Sequence, residues 1–324
     1  MSVAYVNFRV SVVIPSYNNA NYLARTIESV INQDFRNIEL IVIDDGSSDN
    51  SIEVIESLRE RCQSRFERFE ARYRGNKGLS ATLNEAMSWM SGEFMAVLDS
   101  DDVMLAHKTR VLVEHLASDH DLAGVFGGAK IIDSEDRIID DKILPDRTYS
   151  FSDILSRDKQ LVSSAGLWRL DIARRAGGYV SGMYIEDWYM WLRLTEQGHR
   201  LKRISLPVLL YRQHQRNMSG NAQRMLESRI QILEIFKNHA EHERRLSGIY
   251  LEAAIDFCRS SKITAWKYLV SALRTRPMVC AEVYFWRALA RVLAPKYVMD
   301  LAKSSRREIR QQLDRIGNPR EHHR

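Results

Sequence analysis

The chain has 324 residues, 45% of them hydrophobic, and a formal net charge of +5, which suits one domain of about 200 residues with a smaller partner, or two ordinary domains, of a globular protein. No stretch approaches the roughly 18 apolar residues of a membrane span, and the start MSVAYVNFRVSVVIPSYNN lacks the basic-then-apolar plan of a signal peptide. Three scattered cysteines, Cys62, Cys258 and Cys280, exclude a disulfide framework or zinc site and predict reduced packing thiols in a cytoplasmic setting.

RVSVVIP is a short β-branched run ended by proline, which predicts a buried strand. Tyr22, Leu23, Ile27, Val30 and Ile31 then recur at helical spacing. IELIVI predicts a second buried strand, ended by the turn cluster DDGSSDNS, itself a supply of helix caps. Helices follow at Ile52, Ile55 and Leu58 and at Leu79, Leu83, Ala86, Met87 and Met90. EFMAVL is the next strand and runs into VLDSDD. Strand, helix, strand, helix, helix, strand predicts a mostly parallel sheet with helices on both faces. Ligands bind beyond the carboxyl ends of such strands, where PSYNN, DDGSSDN and DSDD all fall.

From 120 to 215 the pattern is mixed. LAGVFGG and PVLLYR predict strands, and WYMWLRLTEQG predicts a helix closed by Gly198. Beyond about Asn217 only helical periodicities remain: Met225, Leu226, Ile230 and Leu233; Tyr250, Ala254, Phe257 and Cys258; ITAWKYLVSALRT stopped by Pro277; and Tyr284, Phe285, Ala288, Leu289 and Val292. A boundary is expected near 218, with a catalytic domain over 1–218 (halves at about 1–105 and 106–218) and a helical extension over 219–324. Residues 241–324 hold 17 Lys and Arg against 9 Asp and Glu. A basic tail behind a mildly acidic body points to an anionic partner, membrane or nucleic acid, or to a solvated helical face.

In VLDSDD three carboxylates crowd four residues, Asp99, Asp101 and Asp102. Like charges this close raise one another's pKa unless a cation, a helix N-terminus or solvent relieves them. A helix expected near Val103–Leu116 would let the aspartates cap it. A calcium EF-hand is excluded, because Val103, Met104 and Arg110 stand where it needs an oxygen ligand, a glycine and a carboxylate. A hard divalent ion remains, held by carboxylates at i and i+2 with positions left for phosphate oxygens. The chain has no GxxxxGK[ST] and no GxGxxG after the first strand. A pyrophosphate would therefore rest on a metal and on cations such as Arg72, Arg74 and Lys77. Tyr17, Asn18, Asp44 and Asp45, at strand ends, can serve base and ribose.

Taken together, VVIPSYNNANYLARTIESVINQDFRNIELIVIDDGSSDNS and NKGLSATLNEAMSWMSGEFMAVLDSDD strongly resemble the inverting family 2 glycosyltransferases with the GT-A fold. The likeness is close over 9–105, diffuse to about 220 and absent beyond. It implies an α/β, Rossmann-like, mostly parallel sheet with a C-terminal all-helical extension. It also implies a nucleotide-diphosphate sugar donor, a UDP-sugar first, and a saccharide or lipid-linked saccharide acceptor, in bacterial cell-surface polysaccharide or glycolipid assembly. Pro15, Tyr17, Asn18, Asp44, Asp45, Arg74, Asn76 and Asp99 match the family's nucleotide-binding blocks. Asp101, with Asp99, matches the D-x-D that binds Mn²⁺ or Mg²⁺.

Inverting transfer is a single displacement through an oxocarbenium-like transition state. It needs one carboxylate base for the acceptor hydroxyl and positive charge for the departing diphosphate. In YIEDWYMWLRL the resemblance points to Asp187 as base, with Glu186 as alternative. Trp188 and Trp191 either line a sugar site or belong to the core, the core being preferred for Trp191. LLYRQHQRNMSGN resembles the family's YR-x-H segment. It implies His214 at the metal or diphosphate, Arg212 at the leaving diphosphate, and a loop over 210–222 that closes on the donor. Two competitors stand: a sugar nucleotidyltransferase-like enzyme, disfavoured by the lack of a glycine- and arginine-rich loop after the first strand, and a catalytically silent scaffold. The amphipathic, arginine-bearing VYFWRALARVLAP and KSSRREIRQQLDR point to peripheral contact of 278–324 with the inner face of the cell membrane, against a helical cap or an oligomer contact. No nucleic-acid partner is expected.

Overall fold

The computed structural model describes residues 8–156, 161–214 and 221–295. The chain forms two compact units, 1–221 and 222–324. The boundary expected near 218 lies in 215–220, outside the described residues.

The first unit opens with β1 (Val10–Ser16), α1 (Ala20–Ile31), β2 (Ile38–Asp44), α2 (Ser51–Ser57), α3 (Arg59–Arg65), β3 (Arg68–Tyr73), α4 (Leu79–Trp89) and β4 (Phe94–Val97). It continues with β5 (Val103–Met104), α5 (Lys108–Ser118), β6 (Leu122–Ile132), β7 (Ile138–Lys142), β8 (Arg147–Tyr149), α6 (Phe151–Ser156), β9 (Gly166–Arg169), α7 (Leu170–Arg175), α8 (Glu186–Glu196) and β10 (Arg200–Arg212). Among the described residues the strands form one sheet in the order β3-β2-β1-β4-β9-β6-β10-β5, with β7 on β6 and β8 on β10. β3, β2, β1 and β4 are parallel, as are β6 and β10, and β9 runs antiparallel between β4 and β6.

Every residue of β1, β2 and β4 is buried. This is the expected signature of strands covered on both faces by helices. Proline does not end β1. Pro15 lies past the β1–β4 ladder, which stops at Val13, so its missing N–H costs the sheet nothing on that side. β3 was not foreseen, because RFEARY alternates charged and apolar residues; it is an edge strand, half-exposed, with no continuous apolar run.

A buried carboxylate braces the parallel half. Glu39, in mid-β2, is 1% exposed. It accepts hydrogen bonds from the Ser11 hydroxyl, from the Ser91 N–H at 2.6 Å and hydroxyl at 2.8 Å, and from Arg68 at 3.1 Å. Burial alone would raise its pKa, but these donors overcome that and hold it below the usual carboxylate value.

Two expectations are corrected. The helix expected near Val103–Leu116 begins at Lys108, because Val103 and Met104 pair with β10 as a short strand. Asp102 therefore caps no helix. Cys62 and Cys258 are buried, and burial pushes the Cys62 thiol up to about 11, but Cys280 is exposed and packs into no core.

The second unit is helical: α9 (Ala222–Ile235), α10 (His242–Phe257), α11 (Lys262–Thr275) and α12 (Val283–Leu293). Leu251, Ala254 and Cys258 pack with Ala265, Leu269 and Ala272 and with Phe285, Ala288 and Val292 in one core.

Candidate active site

Three strand-end loops are locked to one another by their own polar side chains. Asn18, at φ 53°, donates its N–H to the Ser47 hydroxyl at 2.8 Å, and its Oδ1 accepts from the Ser48 N–H at 2.8 Å. Asp49 caps α1 from the neighbouring loop, accepting the Ala20 N–H at 3.0 Å. Asn19 donates to the Ser100 hydroxyl at 2.7 Å, which ties the first loop to the acidic one.

Asp44 is fully buried in its own turn, accepting the Ser47 N–H at 2.9 Å and hydroxyl at 2.6 Å. Asp45 accepts the N–H groups of Lys77 and Gly78, each at 2.8 Å, and pairs with Arg74. Arg74 also reaches Glu85 at 2.9 Å and Thr82 at 2.7 Å. It thus buttresses Asp45 and the loop before α4, between two carboxylates, instead of standing open as a phosphate cation. Asn76 is exposed in that loop, Tyr17 is 53% exposed, and Pro15 is buried beneath it in β1.

The acidic loop rests on α1. The Thr26 hydroxyl meets the carbonyls of Ser100 at 3.0 Å and Asp102 at 2.8 Å. Ser29 accepts the Met104 N–H at 3.0 Å, and Gln33 bonds the Leu105 carbonyl at 2.9 Å and the Thr109 N–H at 3.0 Å. Thr26 and Ser29 on α1, with Gln33 just past its end, form a buried polar stripe at i, i+3 and i+7. Their helical spacing was legible, but polar residues at that spacing read as solvent-facing.

Asp101 Oδ2 lies 2.8 Å from His214 Nε2. The Tyr22 ring holds His214 in place by stacking, with centroids 5.3 Å apart. Asp102 is fully buried; its Oδ1 accepts the Arg212 N–H at 2.8 Å, and its Oδ2 is buried with no hydrogen-bond partner among the described residues. Asp99 receives support from Ser164, whose hydroxyl accepts the Asp99 N–H at 3.1 Å.

Sequence reading missed Lys108 altogether. It is fully buried beneath this loop and donates to the Ser164 carbonyl. Burial lowers its pKa to about 7, against the pull of Asp102 and Asp99. Burial first, then the charges of Asp101 and Asp187, pushes Asp99 up to about 7. Burial with Asp99 and Asp101 pushes Asp102 well above the carboxylate range. For these acids burial and mutual repulsion together outweigh the pull of Lys108.

Asp187 is near enough for its charge to bear on Asp99, behind burial and Asp101, and on Tyr179 and Tyr211, where burial dominates. Both candidate acids open α8. Burial and the adjacent Asp187 raise Glu186 well above its usual value. Tyr179 and Tyr211, which feel these charges, were also unforeseen.

Two sequence expectations change. Arg212 is not presented to a diphosphate. It is 1% exposed, with its guanidinium on the carbonyls of Asp101 at 2.9 Å and Asp133 at 2.8 Å, on Asp136 at 2.5 Å, and over the Tyr22 ring at 4.5 Å. It braces the acidic loop from below. Trp188 lines no sugar site: it is fully buried and donates to the Ile154 carbonyl at 3.0 Å, while Trp191 packs on Phe126. The expected closing loop lies largely in 215–220, outside the described residues.

A hard divalent ion fits these residues. Asp101 and His214 offer adjacent O and N donors among carboxylates in need of a counter-charge. No three His, Cys, Asp or Glu side chains converge as a complete metal site among the described residues, so diphosphate oxygens and water would fill the other positions.

A curled, mostly parallel sheet whose polar loops gather at one edge is the architecture of GT-A glycosyltransferases. Residues 11–163 match the model of glycosyl transferase family 2, so this segment is of glycosyltransferase type. It is 38% identical over 132 residues to an uncharacterized glycosyltransferase of Nostoc, covering 41% of this chain and 40% of that protein. It is 28% identical over 238 residues to the Escherichia coli UDP-Glc:alpha-D-GlcNAc-diphosphoundecaprenol beta-1,3-glucosyltransferase WfgD, covering 71% and 87%. Among solved structures, Staphylococcus aureus TarS in complex with UDP-GlcNAc superposes with TM-score 0.63 at 16% identity, covering 88% of each chain. The Pyrobaculum calidifontis mannosyltransferase PcManGT in complex with GDP-Man and Mn²⁺ gives 0.56 at 15%, covering 94% and 82%. At these identities the structural likeness establishes the fold.

Proposed function

We propose that the chain is an inverting transferase moving a sugar from a nucleotide-diphosphate donor, a UDP-sugar first, to an acceptor hydroxyl in bacterial cell-surface polysaccharide or glycolipid assembly. The observation that carries this reading is the 2.8 Å approach of His214 Nε2 to Asp101 Oδ2 in the acidic loop at the strand ends, an N and O donor pair beside further carboxylates that would suit a cation. The relatives support the substrate class. WfgD is named for a UDP-sugar donor and a diphosphoundecaprenol-linked acceptor, and TarS was solved with UDP-GlcNAc.

In this mechanism the loops of Tyr17, Asn18 and Asp45 hold the nucleoside, with Asp99 at the ribose. Asp101 and His214 would hold a Mn²⁺ or Mg²⁺ ion, which would supply positive charge for the leaving diphosphate when bound. Asp187 takes the proton from the acceptor hydroxyl as its oxygen bonds to the anomeric carbon. The bond from that carbon to the diphosphate breaks on the opposite side, its electron pair leaving with the nucleotide. Lys108 and Arg212 do no chemistry; they fix the acidic loop so that its carboxylates are in place before substrate arrives.

Calorimetric titration of the chain with UDP tests the reading. Binding should require Mn²⁺ or Mg²⁺ and should fall at least about tenfold in Asp101→Ala. Binding indifferent to both metal and Asp101 would contradict the metal role, and no UDP binding at all would favour a silent scaffold.

A further inference from the structure

α11 and α12 each have two apolar faces, and the shared core uses only one. α11 gives Ala265, Leu269 and Ala272 to that core, and α12 gives Phe285, Ala288 and Val292. The opposite side of α11 carries Ile263, Trp266 and Val270 at i, i+3 and i+7, exposed by 73, 42 and 39%. The opposite side of α12 carries Val283, Trp286 and Leu293, exposed by 76, 58 and 61%. Lys262 ties the helices together antiparallel, donating from the start of α11 to the carbonyls of Val292 at 2.8 Å and Ala294 at 2.7 Å past the end of α12. The Trp286 indole N–H is already bonded to the Cys280 carbonyl at 2.8 Å, so the ring presents only apolar surface.

Charge sharpens the pattern. Lys267 and Arg274 lie within the α11 stripe, Arg287 and Arg291 beside that of α12, and all four are exposed. Neither helix contains an aspartate or glutamate, and Glu282 between them is paired with Arg276. Two such faces brought together would oppose like charges, which disfavours a second copy as occupant. Neither helix is long and apolar enough to cross a membrane. Exposed tryptophan and aliphatic side chains flanked by cations, without acids, are the chemistry of a helix lying in an anionic headgroup layer.

We propose that the outer faces of α11 and α12 form a peripheral docking surface for an anionic lipid bilayer. The surface shares α12 with the expected contact over 278–324 and adds α11; residues 296–324 lie outside the described residues. It goes beyond the catalytic reading and does not depend on it.

Co-sedimentation of the full chain with phosphatidylcholine vesicles, with and without phosphatidylglycerol, tests this. The chain should bind the phosphatidylglycerol vesicles, weakly the neutral ones, and release as salt rises. Ile263→Ser with Val283→Ser, at the most exposed positions, should weaken binding about tenfold. Lys267→Glu with Arg287→Glu should weaken it by about twentyfold or more. Metal-dependent UDP binding should persist in both pairs, which separates loss of the surface from loss of the site or the fold. No vesicle binding by the wild type, or equal binding by all three proteins, would overturn the proposal. So would a wild-type dimer, seen by light scattering, that these substitutions dissociate without any vesicle binding.

Discussion

His214 Nε2 lies 2.8 Å from Asp101 Oδ2, joining the residues just past β10 to the acidic loop. The contact spans 113 positions and is held by Tyr22 stacked on the imidazole. Two donors so placed predict a shared metal. His214→Ala should raise the Mn²⁺ concentration needed for half-maximal UDP binding about tenfold or more, with the melting temperature little changed. Tyr22→Leu should give a smaller shift in the same direction. Calorimetry at stepped Mn²⁺ concentrations measures both; an unchanged Mn²⁺ requirement in His214→Ala would remove the ligand role.

Lys108 sits under carboxylates that burial and repulsion push toward neutrality. Lys108→Met leaves Asp99 and Asp102 with less compensation and should cost about 2–4 kcal/mol in urea unfolding. Asp102→Asn added to Lys108→Met should recover part of that loss. A double-mutant cycle that shows strict additivity would mean the two side chains do not interact.

Gly46 turns the chain between Asp45 and Ser47 at φ +82°, and an added Cβ would stand 2.8 Å from the Asn76 backbone nitrogen. Gly46→Ala should therefore cost about 1–3 kcal/mol by strain and contact together. Because the displaced backbone carries the N–H groups that orient Asp45, UDP affinity should fall as well. Parallel thermal melts and UDP titrations read the two effects.

The central parallel strands were legible because they are short apolar runs with turn residues at their ends. The strand-end position of the acidic loops followed from that pattern. Buried polar residues were not legible. Thr26, Ser29, Gln33 and Lys108 have the sequence character of a wet helix face, and only the fold shows the loop they carry. Arg212 was misplaced for a related reason: a cation beside a resemblance motif suggests a ligand contact, whereas burial commits it to backbone carbonyls. Asp44 and Arg74 likewise hold loops in place, a role no spacing rule distinguishes from ligand contact.

Glu39 gives the stability a pH dependence. Its folded pKa is depressed by its hydrogen bonds and by Arg68. Its contribution is therefore present above the unfolded value, near 4.5, and is lost as pH falls through the lower folded value. Glu39→Gln should be less stable at neutral pH by about 1–3 kcal/mol. It should also show a flatter loss of stability below about pH 4.5. Chemical denaturation at pH 7 and across the acid limb distinguishes the two proteins; identical acid limbs would assign that dependence to other groups.

Asp187 carries the central claim. The direct measurement is nucleotide release from a panel of UDP- and GDP-sugars with Mn²⁺ and a saccharide or lipid-linked acceptor, comparing wild type with Asp187→Asn. The account predicts that the variant keeps metal-dependent nucleotide binding while acceptor-dependent turnover falls about 100-fold or more. Turnover surviving in Asp187→Asn at near wild-type rate would contradict it.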